Sequence, residues 1–75
     1  MSSLERRVLE NKIEALVIAI PKEKEAHDFY MNLHEEYTDI SSKEMFLFLA
    51  NQETKHQKRL ENLLAELEQK LKELK

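Results

Sequence analysis

Residues 37–42, with the sequence YTDISS, form the main cluster of turn-forming and helix-capping side chains in this chain of 75 residues. Thr, Asp and Ser favour turns and helix N-termini because their side chains hydrogen-bond to nearby backbone amides. Ser41 is followed three positions later by Glu44, which is the pattern of a capping box with Ser41 as the N-cap. The segment therefore predicts a short break that separates two helices.

Glu, Lys, Leu and Ala dominate the sequence on both sides of this break. These residues lose little side-chain freedom when they enter a helix. We therefore expect one domain over residues 1–75, with helix one at about residues 3–37 and helix two at about residues 42–74.

Pro21 lies inside the first of these helices. A proline in a helix interior removes one hydrogen bond and clashes with the preceding turn, which costs about 3 kcal/mol. A new helix could begin at Pro21, but the apolar pattern continues without a slip from Leu16 through Ile20, and Ile20 is a poor N-cap. We therefore expect one continuous helix with a kink at Pro21.

Alternating steps of four and three residues place a stripe of core-facing positions on each helix. In helix one the stripe consists of Leu9, Ile13, Leu16, Ile20, Glu23, His27, Tyr30, His34 and Tyr37. In helix two it consists of Leu49, Glu53, His56, Leu60, Leu63, Leu67 and Leu74. A lone hairpin leaves half of each stripe in water, so we expect an all-α, antiparallel two-helix hairpin that dimerises into a four-helix bundle or forms a larger homo-oligomer.

The composition excludes several classes of function. The chain has no Gly and no Cys, which argues against phosphate-binding loops, thiol nucleophiles and cysteine-ligated metal sites. A net charge of −3 argues against nucleic-acid binding by phosphate neutralisation. The longest apolar run is too short to span a bilayer and no signal-peptide pattern is recognisable, so we expect a cytoplasmic protein that does not bind a membrane.

Three polar residues interrupt the two stripes at the same height of the folded hairpin. Glu23 precedes the break by about as many residues as Glu53 and His56 follow it, so the three side chains converge in the interior. Because buried carboxylates are costly without a partner, two copies of this set would need about two divalent cations. Carboxylate and imidazole ligands without thiolate suit iron, manganese or zinc.

The same residues carry a resemblance to a known family. The stretch EKEAHDFY at residues 23–30, followed by FLANQETKH at residues 48–56, resembles one half of a rubrerythrin, in the ferritin-like superfamily. The resemblance implies a di-iron site formed at a homodimer interface, with two irons per dimer. It also implies that Glu23 is a terminal ligand, Glu53 a bridging ligand and His56 the imidazole ligand, while the Tyr30 hydroxyl holds a ligand carboxylate.

The function implied by this resemblance is oxidation of ferrous iron, for iron handling or peroxide defence. A ferroxidase or a peroxidase-type oxidoreductase would fit, and whether the chain is an enzyme stays open. Two alternatives remain from the sequence: a non-catalytic helical oligomerisation module, and a structural zinc or manganese site. His27 lies one turn from Glu23, and three roles stay open for it: an extra ligand, a residue that contacts a ligand side chain, or a pH-sensitive packing residue.

Overall fold

The chain folds as a hairpin of two long helices. The computed structural model describes residues 2–74, so the ends of the predicted domain, Met1 and Lys75, lie outside the described residues. Helix α1 spans Ser2–Glu36 and helix α2 spans Ile40–Glu73. The described part measures 58 × 14 × 12 Å and contains no strand, which confirms the predicted all-α hairpin. Over this same part, neither helix has a segment long and apolar enough to cross a membrane.

The start of α2 differs from the sequence prediction by two residues. Asp39 is the N-cap, with φ −78° and ψ 140°, and its Oδ2 accepts a hydrogen bond of 3.0 Å from the Ser42 amide. The Asp39 carbonyl accepts the first helical bond from the Lys43 amide at 3.1 Å. The prediction of Ser41 as N-cap was therefore wrong, because Asp39, two residues earlier, is the N-cap and its carboxylate satisfies the free amide of Ser42.

Helix α1 continues through Pro21 and no second helix begins there. The kink at Pro21 stays a prediction. The last turn is closed by a hydrogen bond of 3.1 Å from the Tyr37 amide to the Leu33 carbonyl, after which only three residues connect the helices. So short a connection forces α1 and α2 to lie side by side and antiparallel.

The stripe on α1 lies against α2 as predicted, with every member from Leu9 to His34 half-buried. On α2 the stripe is rotated, because Ala50 is fully buried and Gln57 half-buried, whereas His56 and Leu63 are exposed. The α2 residues that face α1 are Phe46, Ala50, Glu53, Gln57, Leu60, Leu64, Leu67, Leu71 and Leu74. Residues 49, 56 and 63 therefore follow a second line, beside the one that contacts α1.

The hairpin has very little core of its own. Among the described residues Ala50 is the one fully buried side chain, and no large side chain is fully buried. In the part of the chain that the structure describes, eleven large apolar side chains are exposed, several of them, including Phe29 and Phe48, by more than half. Because burial of apolar area provides most of the folding free energy, two helices with these exposures gain little stability by themselves.

Candidate metal centre

Glu23, Glu53 and His56 form one cluster between the helices. Each offers one ligand atom, and these atoms all lie within 4.8 Å of one another. His56 Nδ1 is 3.6 Å from Glu23 Oε2 and 3.8 Å from Glu53 Oε2. Helix α1 supplies one carboxylate, and the Glu-x-x-His spacing of α2 places the other two groups on adjacent turns.

The two carboxylates are sheltered and the imidazole is not. Side-chain exposure is 28% for Glu23 and 18% for Glu53, but 56% for His56. The two glutamates face each other across the seam, whereas His56 lies on the exposed second line of α2. The cluster is therefore open on the surface of the hairpin that carries His56.

The two acids lie close enough to perturb each other. Hydrogen bonding with Glu23 is the largest cause that raises the pKa of Glu53, followed by burial and the negative charge of Glu23, while His56 acts in the opposite direction. In the absence of a cation, a shared proton is the cheapest way to keep two carboxylates together. A divalent cation provides the same compensation without a proton, so these donors fit a carboxylate-bound metal ion.

The donor set is a hard, mixed oxygen and nitrogen set. Three protein ligands from one hairpin leave coordination positions free for a second set of ligands, for water or for an oxidant. Without thiolate it suits iron, manganese or zinc rather than soft copper. The assignment of Glu23, Glu53 and His56 as metal ligands stays a prediction, which their proximity supports.

His27 and Tyr30 are close to this cluster along α1 but lie outside it. His27 Nδ1 is 3.0 Å from Asp28 Oδ1, and the ring is not one of the three grouped donors. The Tyr30 ring packs edge-on against Phe29, with centroids 5.5 Å apart, and among the described residues its hydroxyl makes no hydrogen bond to the cluster. Their proposed roles at the site remain predictions.

His34 takes part in a separate clasp at the turn. Its Nδ1 donates to the Lys43 carbonyl at 2.8 Å, and Lys43 Nζ donates to the His34 carbonyl at 2.6 Å and to the Tyr37 carbonyl at 3.0 Å. The lysine thus satisfies two free carbonyls at the end of α1, where a positive charge is favourable. Sequence reasoning missed Lys43, although a lysine in the first turn after a three-residue connection is a usable signal.

Comparison with known proteins gives the family. The family model described as Rubrerythrin matches residues 14–75, which include the whole cluster and most of both helices. Searches of curated proteins and of solved structures found no match. The matched segment spans more than half of the chain and contains two carboxylates and an imidazole brought together between antiparallel helices. The chain therefore belongs to the rubrerythrin family.

Proposed function

We propose that this chain supplies half of a di-iron carboxylate centre, which a second copy of the chain completes, and that the centre oxidises ferrous iron. The observation that carries this proposal is the convergence of the Glu23, Glu53 and His56 donor atoms within 4.8 Å. A symmetric pair would provide four carboxylates and two imidazoles, with a charge that two divalent cations balance. The cytoplasmic location is part of the proposal.

Each residue has a stated role in this proposal. Glu53 is the less exposed carboxylate and bridges the two ions, while Glu23 binds one of them from the other helix. His56 supplies a neutral nitrogen donor, and its exposed position allows it to reach an ion between two hairpins. The Tyr30 hydroxyl, about two helical turns from Glu23, orients a carboxylate once the second hairpin encloses it.

Ferrous iron is the substrate of the reaction. Two ferrous ions together provide two electrons, which with two protons reduce peroxide to two waters or dioxygen to hydrogen peroxide. The chain's contribution is to hold two ions side by side, to neutralise their charge and to leave positions open to the oxidant. Hydrogen bonding with Glu23 raises the pKa of Glu53, so a bound cation competes with protonation of Glu53.

The test is anaerobic loading of the full chain with ferrous iron, followed by removal of free metal and metal analysis. We expect about one iron per chain and rapid loss of ferrous iron after addition of peroxide or dioxygen. The Glu53→Gln variant should retain about one tenth of the wild-type amount of iron or less. Glu61→Gln, a matched change at an exposed position of the same helix, should retain the wild-type amount. A wild-type chain that retains no iron would refute the proposal.

A non-catalytic oligomerisation module is the second candidate, favoured by the large number of exposed apolar side chains. In that case Glu53 and His56 would be only a polar layer of the bundle. Replacing both by Leu should then strengthen the oligomer and leave the biological activity of the module intact. If the double variant no longer oxidises ferrous iron, the hypothesis of a non-catalytic module is contradicted. If the site instead holds structural zinc or manganese, metal analysis would find that metal, and the ultraviolet–visible spectrum would lack the absorption of oxo-bridged ferric iron.

A further inference from the structure

Two histidines lie one heptad apart on the stripe of α1 that faces α2, and their contacts differ. His34 Nδ1 donates to the Lys43 carbonyl of α2 at 2.8 Å, so this ring joins the two helices. His27 Nδ1 lies 3.0 Å from Oδ1 of its neighbour Asp28, and among the described residues the ring makes no hydrogen bond to α2. Holding the helices together is therefore the role of one histidine and not of the other.

The contact with Asp28 fixes which nitrogen of His27 carries the proton. An ionised carboxylate only accepts hydrogen bonds, so Nδ1 is the donor and Nε2 carries the lone pair. A carboxylate in this position also stabilises the imidazolium that forms when Nε2 takes a proton. The pair thus has the chemistry of a proton carrier, with Nε2 as the atom that gains and loses the proton.

The same pair connects the contact between the helices with water. The side chain of His27 is 33% exposed and that of Asp28 is 62% exposed. His27 lies one turn from Glu23 on the stripe of α1, which is about 6 Å along the helix axis. Among the described residues its ring forms no ion pair with Glu23 or Glu53, so it is a neighbour of the cluster and not a member of it.

Asp28 and the exposed imidazole of the cluster lie on opposite sides of the hairpin. On α1, Asp28 directly follows His27, which faces α2. On α2, His56 directly precedes Gln57, which faces α1. In an antiparallel pair, positions that follow the facing residues of either helix lie on one side, and positions that precede them lie on the other. A second hairpin that shares ions with His56 therefore leaves the side of Asp28 open to water.

The charged surroundings of the pair come from both helices. Residues 46–54 of α2 lie opposite this part of α1, and Glu53 is the one titratable residue among them. On α1, the titratable residues one turn away from the pair are Glu23, Lys24 and Tyr30. Carboxylates outnumber ammonium groups in this set, so a positive charge on the imidazole is compensated while a proton is carried.

We infer that His27 and Asp28 carry protons from water to the oxidant during oxidation of ferrous iron. This inference rests on the proposed function. Reduction of one peroxide molecule takes two electrons from two ferrous ions and two protons, breaks the O–O bond and forms two waters. The Nε2–H of the His27 imidazolium supplies these protons one after the other, and Nε2 is protonated again from the solvent. Asp28 is a positioning residue, since it acts through the ring of His27.

The first test uses the full chain without metal. Nitrogen-15 NMR of the three histidine rings reports which nitrogen carries the proton when a ring is neutral. We expect the Nδ1–H form for His27 in the wild type and a shift towards the Nε2–H form in Asp28→Ala, which lacks the acceptor. Glu35→Ala is the matched control, because Glu35 follows His34 one heptad later but is not hydrogen-bonded to it. An Nε2–H form of His27 in the wild type would overturn the inference.

The second test measures how fast iron-loaded chains oxidise ferrous iron after addition of peroxide. His27→Ala should retain the wild-type amount of iron and oxidise it at least about tenfold more slowly, and added imidazole should restore the rate because it replaces the missing proton carrier. Asp28→Ala should also slow the reaction, whereas Glu35→Ala should not. Loss of iron from His27→Ala would identify a ligand and overturn the inference, as would a slow variant that imidazole does not rescue.

Iron retention by the wild type separates this inference from the proposed function. A wild-type chain without iron refutes the proposed function and the proton carrier with it. A wild-type chain that binds and oxidises iron at the same rate as His27→Ala refutes the proton carrier alone.

Discussion

The two ends of the hairpin are held together in different ways. Near the turn, Asp39, Lys43 and His34 form hydrogen bonds with stated partners, and the three-residue cluster lies a few turns further along. Towards the open end, the contact surface is a run of leucines from Leu60 to Leu74. Among the described residues, one polar contact joins the helices there, from Arg6 Nη2 to the Leu74 carbonyl at 3.4 Å.

The leucines towards the open end therefore provide stability, whereas the polar contacts near the turn fix how the two helices are aligned. Leucines at seam spacing bury apolar area but tolerate a shift by one heptad, since each position resembles the next. The polar contacts between His34 and Lys43 join particular residues of the two helices, so they fix which turn of α1 lies beside which turn of α2. The following predictions are ways to test this division.

We expect the largest effect on stability from the run of leucines between Leu60 and Leu74. Leu67→Ala removes a half-buried side chain from the seam and should lower the free energy of unfolding by about 2 kcal/mol. Urea unfolding measures this loss. Glu68→Ala, the exposed neighbour, should change the free energy of unfolding little. A loss equal for both variants would mean that the leucine seam does not provide the stability.

In the cluster, the effect should have the opposite sign when no metal is bound. Hydrogen bonding to Glu23 raises the pKa of Glu53, so ionisation of Glu53 at neutral pH opposes folding. Glu53→Gln removes that charge and should stabilise the metal-free chain by about 1 kcal/mol, while it weakens iron binding. Urea unfolding with a chelator present is the measurement, and a destabilised metal-free variant would contradict the assignment.

The clasp at the turn should have a smaller effect. Lys43→Met keeps the length of the side chain but leaves the His34 and Tyr37 carbonyls without their cationic donor. We expect a loss of about 0.5 kcal/mol in the free energy of unfolding, since these hydrogen bonds are partly exposed to water. Lys55→Met, an exposed change on the same helix, is the matched control for thermal unfolding. Identical melting temperatures for the two variants would show that the hydrogen bonds of Lys43 do not stabilise the hairpin.

The smallest effect concerns pH. Hydrogen bonds from Ser42 lower the pKa of Asp39, so its contribution to stability is present above the pKa of the unfolded chain and is lost as the pH falls through the folded value. Asp39→Asn keeps a capping oxygen without the charge. The melting temperatures of wild type and variant should therefore converge as the pH is lowered from 7 towards 3, and a constant difference would contradict this cause.

The hairpin and the composition of its cluster could be predicted because both follow from spacing. One short break between two helical segments leaves a single topology, and equal distances from that break bring Glu23 to the height of Glu53 and His56. The rotation of α2 could not be predicted in this way. The lines through Leu49 and through Ala50 are both largely apolar, and only packing of the small Ala50 against α1 decides between them.

The sequence prediction of the N-cap of α2 was wrong for a similar reason. Asp39 and Ser41 are both good N-cap residues, and a sequence pattern does not measure which carboxylate or hydroxyl reaches a free amide first. The three-residue connection decides this choice, because α1 closes its last bond at Tyr37 and Asp39, two residues later, already has the extended conformation of an N-cap.

The short connection also sets an order of assembly. Pairing across the turn closes loops of about ten residues, the cluster closes a loop of about 30, and the bond from Arg6 to Leu74 joins residues 68 apart. Because the entropic cost of closing a loop grows with its length, the helices should zip together from the turn outwards, with kinetics typical of chains rich in local contacts. The acidic pair is then in place before the leucines furthest from the turn meet, so a late-folding or frayed open end leaves the half that carries Glu23, Glu53 and His56 intact.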